Sequence, residues 1–487
     1  MVWERPIYLL WNEREEKELR QKWKAAILLL TVISLLGGCF AEKPVLEELE
    51  PERKVKIKVM YHNDESFYRD YGNGFDAIFN EKYPNLEFEF ISLIEMYPDI
   101  EKNGTSFEEE YLKLIEKNKP DILFFTKTDL FEKMAQEGKL YNLDPIIAQE
   151  KFDVDSYMPG LIDMMRHYGD GSLYGLAPSF YTNNLYYNAE LFREYQIDPP
   201  RNQMSWKEVL ELSQRFAGLG SNDKPIYGLT EDFGRVEELL FGIAATSSLR
   251  ALDAKGEKLA FNTEGWKEAM ELVADAVRSR AVFASPLEEE VRYLQTGPFL
   301  RGEVAMVLGS GMFLNQMLEG PMQDDGKEME WNMVTVPVDP ASPDESPFVE
   351  LNGIYAIAAD SANKRAAWEF MKYVNSPEMA KALSRSPHAG LQTRSGYTKE
   401  IAGKSTESFY LLRPKAGGGS IWGGSKVNRP DEFTFGFPSL VEKQLYEMIE
   451  NGKSAEAAAA AIESEGNALL EQARAAQKAK KANAGTK

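Results

Sequence analysis

The chain has 487 residues, 43% apolar and 27% charged, the balance of a soluble globular protein larger than one ordinary core. Asp and Glu total 77 against 56 Lys and Arg, a formal charge of −21, which argues against nucleic-acid binding and against general adsorption to anionic lipid. One cysteine excludes intramolecular disulfides and thiolate clusters, and His62, His167 and His388 are too scattered to suggest zinc, so no metal and no cofactor is expected.

The amino terminus reads as a leader. Lys17, Arg20, Lys22 and Lys24 precede an apolar run over 25–36, the charged and apolar regions of a secretory signal peptide. The run falls short of the roughly 20 apolar residues that a transmembrane helix needs. Leu36-Gly37-Gly38-Cys39 resembles a bacterial lipobox, in which Cys39 carries lipid and becomes the new amino terminus. Residues 1–38 are then a lipoprotein signal peptide. The charged, proline-marked stretch 39–54 is a linker holding the rest at the extracytoplasmic face of the membrane.

Periodicity predicts the elements that follow. Residues 55–60 alternate as a strand, 73–82 form a helix with Phe75, Ile78 and Phe79 on one side, and 86–91 form a second strand. A helix over 107–118, a buried strand over 120–125 and a helix over 130–137 stopped by Gly138 come next. Alternation of this kind implies a parallel α/β unit, whose ligands bind off the carboxyl ends of the strands. The loops 61–64 and 126–129 therefore lie at a site mouth. Ser205 and Glu208 make a capping box that opens a helix, residues 266–280 form an amphipathic helix, and 302–308 form a strand. Residues 362–374 are helical, and Ser376-Pro377 opens the next helix. The four prolines of 337–347 mark a surface loop, 416–425 is a glycine-rich loop around Trp422, and the Ala-rich tail from 454 is helical.

Four segments carry a family resemblance. Leu173-Tyr174-Gly175-Leu176-Ala177-Pro178 with Leu185-Tyr186-Tyr187-Asn188-Ala189-Glu190-Leu191-Phe192, then Asp198-Pro199-Pro200 with Ser205-Trp206-Lys207-Glu208, resemble extracellular solute-binding proteins of the maltose-binding class. Phe299-Leu300-Arg301-Gly302-Glu303-Val304-Ala305-Met306 is similar to a third motif of that family. Asn352-Gly353-Ile354-Tyr355-Ala356-Ile357, followed by Ala367-Trp368-Glu369-Phe370-Met371-Lys372-Tyr373-Val374, is similar to a fourth. The resemblance implies a two-lobed α/β fold of the periplasmic-binding type II, its lobes joined by a multi-strand hinge. The amino-terminal lobe would be 45–182 plus 352–391, and the carboxyl-terminal lobe 183–351 plus 392–487. Chain crossings would fall near 181–184, 351–353 and 390–394. It also implies a monomeric, lipid-anchored binder of a carbohydrate, of oligosaccharide size, serving the permease of an ABC importer. Lobe closure would equally suit a sensor or an adhesin, and binders of other solutes share the fold.

Sugar sites set aromatic faces against C–H surfaces and polar groups against hydroxyls. Tyr181 and Asn183 form an aromatic-polar cluster at the first expected crossing, suited to ligand or to hinge backbone. Asp64 suits a sugar hydroxyl or a turn cap, and Thr126 and Lys127 follow an expected strand end. Relatives often carry a stacking tryptophan where Gly309-Ser310-Gly311-Met312-Phe313 stands here, so Phe313 or Trp422 is the expected replacement. Phe435 and Phe437 read as core, as do Trp206, Trp266 and Trp368. No carboxylate pair stands out, and neither a Gly-x-Ser-x-Gly elbow nor a phosphate loop occurs, so catalysis is not expected.

Overall fold

The computed structural model describes residues 45–484, apart from 51, 73–74, 222, 233, 286–296, 319–328, 386–389, 416–418, 423–426 and 428. The expected signal peptide, Cys39 and the start of the linker lie outside the described residues. Along the chain the strands are β1 (Val55–Tyr61), β2 (Leu86–Ser92), β3 (Ile122–Phe125), β4 (Gly175–Leu176), β5 (Ser179–Tyr181), β6 (Asn184–Asn188) and β7 (Tyr227–Glu231). They continue as β8 (Val304–Gly309), β9 (Trp331–Thr335), β10 (Glu345–Ser346), β11 (Glu350–Leu351), β12 (Ile354–Ile357) and β13 (Leu391–Gln392).

The first sheet has the order β2-β1-β3-β12-β4. β1 runs parallel to β2 and β3, and β12 runs antiparallel to β3 and β4. Val55, Ile57 and Val59 turn inward while Lys56 stays exposed, the alternation that marks this strand in the sequence. All four residues of β3 are buried, as a central strand covered on both faces requires. Asp121 ties the start of β3 to its surroundings: its carboxylate accepts from the Lys58 backbone N–H at 3.0 Å and from Ser361 Oγ at 2.6 Å. Helices Asp64–Tyr71, Phe75–Lys82 and Lys364–Val374 bring Phe67, Phe75, Phe79 and Phe370 together into an aromatic layer, all buried.

The second sheet has the order β7-β8-β6-β9, with β8 parallel to β7 and antiparallel to β6. Its helices include Trp206–Gln214, Val236–Thr246, Glu264–Arg278, Asp431–Asn451 and Ala455–Ala484, which share one apolar core with the sheet. The capping box at Ser205 and Glu208 forms with both of its bonds. Trp206, Trp266 and Trp368 are buried, as expected. A third sheet, β11-β5-β13, is antiparallel. β5 lies in sequence between a strand of the first sheet and one of the second, β11 between β9 and β12, and β13 between helices Pro377–Leu383 and Asp431–Asn451. The chain thus passes between the two larger sheets at these three strands.

Three expectations change. The 61–64 loop is shortened because Asn63 caps a helix over Asp64–Tyr71, its Oδ1 accepting from Ser66 N at 2.7 Å. Ile78 is 59% exposed, because Phe75 and Phe79 repeat at i, i+4 and the residue one step before Phe79 rotates off their stripe. Phe435 is 78% exposed while Phe437 is buried. On helix Asp431–Asn451 the inward stripe is Phe433, Phe437, Val441, Leu445 and Met448, and Phe435 points away from it.

Candidate functional site

The carboxyl end of β1 supplies Tyr61 and His62 to a cavity of about 370 Å³. Arg69, Asp70 and Tyr71 reach it from the helix that follows, because Phe67 and Tyr71 fasten that helix to the aromatic layer by i, i+4 spacing. Ser179 and Tyr181 come from β5, Asn352 from the turn between β11 and β12, and Leu383 from the end of helix Pro377–Leu383. Gly353 beside Asn352 has φ +83°, and a Cβ there would stand 2.2 Å from Phe124 Cζ, so the turn needs glycine. A Cβ on Gly311 would likewise stand 2.7 Å from Tyr181 Cδ1, so this glycine lets the helix Gly311–Leu318 pack against the cavity wall.

Hydrogen bonds fix most of the polar wall. Tyr61 Oη donates to Asp70 Oδ2 at 2.8 Å, and Arg69 Nε donates to Asp70 Oδ1 at 3.1 Å. Tyr355, buried beneath the cavity, donates its hydroxyl to Tyr71 Oη at 3.1 Å and lies nearly parallel to Tyr61, with centroids 6.2 Å apart. Asn352 Nδ2 donates to Ser179 Oγ at 3.2 Å. Burial pushes the hydroxyls of Tyr61, Tyr71 and Tyr181 above their ordinary value of 10, and the Asp70 carboxylate adds to this in each case. Burial also pulls His62 below 6.5; Asp70 opposes this and Arg69 adds to it. Near neutral pH the wall therefore offers three protonated tyrosines, a neutral histidine and one paired cation and anion. Rigid aromatic faces with fixed donors and acceptors suit a ligand bearing both C–H surface and hydroxyls.

Of the expected ligand residues, Tyr181 lines this cavity. Asp64 is exposed in the first turn of its helix and accepts from Glu65 N at 2.9 Å. Thr126 is exposed after β3, and the Lys127 ammonium lies 4.6 Å from the centre of the Phe107 ring. Asn183 is half-buried between β5 and β6, its carbonyl accepting from Thr182 Oγ1 at 3.4 Å. Phe313 is buried against Tyr186 and Phe299. Trp422 is partly buried with the edges of Phe433 and Phe437 against it, and the Arg429 guanidinium lies 5.0 Å from its ring centre. None of these six lines the cavity among the described residues. Tyr61 and His62 belong to the 61–64 stretch expected at the site mouth, and the residues that sequence reasoning missed are Arg69, Asp70, Tyr71, Ser179, Asn352 and Leu383. The dense aromatic and charged run Tyr68-Arg69-Asp70-Tyr71 after a capping Asn63 was the available signal.

Comparison with known proteins gives a consistent picture. Residues 64–381 match the family model for bacterial extracellular solute-binding proteins. Relatives in Brucella abortus and Brucella suis, named sn-glycerol-3-phosphate-binding periplasmic proteins, are 22% identical over 196 residues. That match spans 38% of this chain and 43% of the relatives' length. Among solved structures, a sugar transporter from Rhizobium etli in an open conformation superposes with TM-score 0.64 at 17% identity, over 85% of this chain and 99% of the other. The sugar-binding protein MalE of Xanthomonas citri gives 0.63 at 18% identity, over 87% and 99%. The cyclic alpha-maltosyl-1,6-maltose binding protein of Arthrobacter globiformis gives 0.55 at 15%, over 86% and 100%. At these identities the superpositions establish the two-lobed fold.

Proposed function

Because this chain belongs to the bacterial extracellular solute-binding proteins, we propose that it captures a carbohydrate, of oligosaccharide size, and delivers it to the permease of an ABC importer. The amino-terminal lobe is 45–182 plus 352–391 and the carboxyl-terminal lobe 183–351 plus 392–487, a division supported by the pairing of β5, β11 and β13 in one sheet. Cys39 tethers the protein to the extracytoplasmic face of the membrane, a role supported by the lipobox-like Leu36-Gly37-Gly38-Cys39. The protein binds as a monomer and catalyses nothing.

The observation that carries the sugar reading is the charge of the cavity. Its guanidinium, Arg69, is already bonded to its carboxylate, Asp70, and His62 is held neutral by burial. A phosphate ester needs a surplus of cationic donors and a polyamine a surplus of carboxylates; this wall has neither, while its tyrosines and amide suit neutral hydroxyls. Thr126, Lys127, Asn183 and Asp64 are proposed to meet the outer units of a longer ligand as the lobes close.

A thermal-shift screen of protein starting at Ala41 against oligosaccharides, glycerol 3-phosphate, polyamines and peptides tests this. A ligand at about 100 times its dissociation constant stabilises by about 2.7 kcal/mol, a readable shift. We expect stabilisation by a sugar and none by glycerol 3-phosphate. Stabilisation confined to the phosphate ester or to polyamines rejects the sugar reading.

A further inference from the structure

Asn352 stands where the cavity meets the three chain crossings. It directly follows β11, and its backbone N–H donates to the Ser179 carbonyl on β5 at 3.0 Å. Its side-chain Nδ2 donates to Ser179 Oγ at 3.2 Å, so two bonds tie the second crossing to the first. The third crossing runs past the same amide. Gly390, next to β13, has φ +69°, and a Cβ there would lie 3.4 Å from Asn352 Nδ2. Ser179 itself pairs with Gln392 of β13. The amide thus bonds to the first crossing and lies beside Gly390 of the third, and Asn352 is one of the residues that line the cavity.

We propose that Asn352 is a positioning residue that couples solute capture to the angle between the lobes. A solute hydroxyl bonded to the amide holds it in the rotamer that bonds Ser179. Bending at the crossings strains or breaks that bond, so solute favours whichever lobe angle preserves it. A ligand shifts a conformational equilibrium only by binding one state better, and a side chain shared between ligand and hinge supplies that difference. The inference rests on the solute-capture reading, and it makes a claim about the free protein that stands without any ligand.

Hydrogen exchange on the free protein is the first arm. Asn352→Ala is expected to speed exchange at least tenfold in 179–181, 350–353 and 390–392, with the rest of the chain unchanged. Ser179→Ala, which removes the acceptor and leaves the amide in place, is expected to speed exchange in the same segments and serves if Asn352→Ala folds poorly. Lys207→Ala, exposed on helix Trp206–Gln214 and outside the cavity lining, is expected to leave those segments alone. In the second arm, any sugar of the thermal-shift panel that stabilises wild type is expected to protect the three segments in wild type and in Lys207→Ala at saturation, but not in Asn352→Ala. Wild-type exchange in both Asn352→Ala and Ser179→Ala, or equal protection by sugar in wild type and Asn352→Ala, overturns the coupling. A panel in which no sugar binds wild type defeats the capture reading instead, and the free-protein arm still decides whether Asn352 ties the crossings together.

Discussion

Replacing Tyr61 by phenylalanine removes one oxygen and tests whether the cavity holds Asp70 in a fixed position. The Tyr61 hydroxyl is one of two groups that grip this carboxylate, with Arg69 on the other oxygen. The ring is buried against Phe67, Phe124 and Tyr355, and that packing survives the change. A hydrogen bond to a charged acceptor contributes about 1.5–3 kcal/mol net. The Asp70 side chain is 27% exposed, so water takes over part of the lost bond, and the expected cost is near the lower end, about 1.5 kcal/mol. That is roughly tenfold in the folding equilibrium constant. Asp70→Asn keeps the shape and removes the charge, and a cycle of the two single variants and the double variant isolates the pair. Urea unfolding followed by tryptophan fluorescence, at unchanged slope, is expected to show a coupling of about 1–2 kcal/mol. A sugar found in the screen is expected to lose affinity in both single variants. Effects on stability that add to within about 0.3 kcal/mol refute the claim that the hydroxyl orients Asp70.

Three further outcomes are expected. Trp422→Ala should lower stability by about 2–4 kcal/mol, below or at the usual range for a core tryptophan because the ring is only partly buried; a stable variant that has lost sugar affinity would instead make Trp422 the stacking platform. Burial pushes the Glu237 carboxyl from an ordinary 4.5 up to about 7, with the Arg235 guanidinium opposing and Glu442 and Glu238 reinforcing. The folded state then holds that proton more tightly than the unfolded one, so this group's contribution is most favourable below pH 4.5 and falls as pH rises from 4.5 to about 7. Glu237→Gln should therefore stabilise the protein above pH 7 by at most about 3 kcal/mol, less the lost Arg235 pair, and the advantage should fade on acidification; a difference that is the same at every pH contradicts the assignment. Cys39→Ala should abolish fatty-acid labelling and release the protein from membranes, and unchanged labelling and retention would defeat the lipoprotein reading.

The sequence by itself determined the character of most elements and the family. The alternation of Val55, Ile57 and Val59, the apolar run of β3, the Ser205 capping box and the Ser376-Pro377 start are local signals, set within one turn or one strand, and each forms where its pattern lies. Burial of Trp206, Trp266 and Trp368 was legible for the same reason, since each sits on an amphipathic helix. The aromatic-polar cluster at the expected first crossing put forward Tyr181, which lines the cavity. Local periodicity also has a narrow reach: Phe435 and Phe437 are two residues apart and look equally apolar, yet helix Asp431–Asn451 turns them to different sides.

Only the tertiary structure decided which side chains meet. Tyr61 with Asp70, Ser179, Asn352 and Leu383 come from four separate stretches of chain, and no spacing rule links stretches so far apart in sequence. Strand pairing brings them together: β1 sets Tyr61 at the end of the first sheet, and the three-stranded sheet sets Ser179 against Asn352. Helix Asp64–Tyr71 then turns Asp70 toward Tyr61, because Phe67, three residues earlier on the same face, packs its ring against Tyr61 as it enters the aromatic layer. Packing of that kind also seats Phe313 in the core and sets Arg429 over the face of Trp422, two aromatic positions that sequence alone put forward as platforms. A site built at the junction of two sheets is a property of their pairing, and its residues become visible only when long-range contacts fix which ends of the chain face one another.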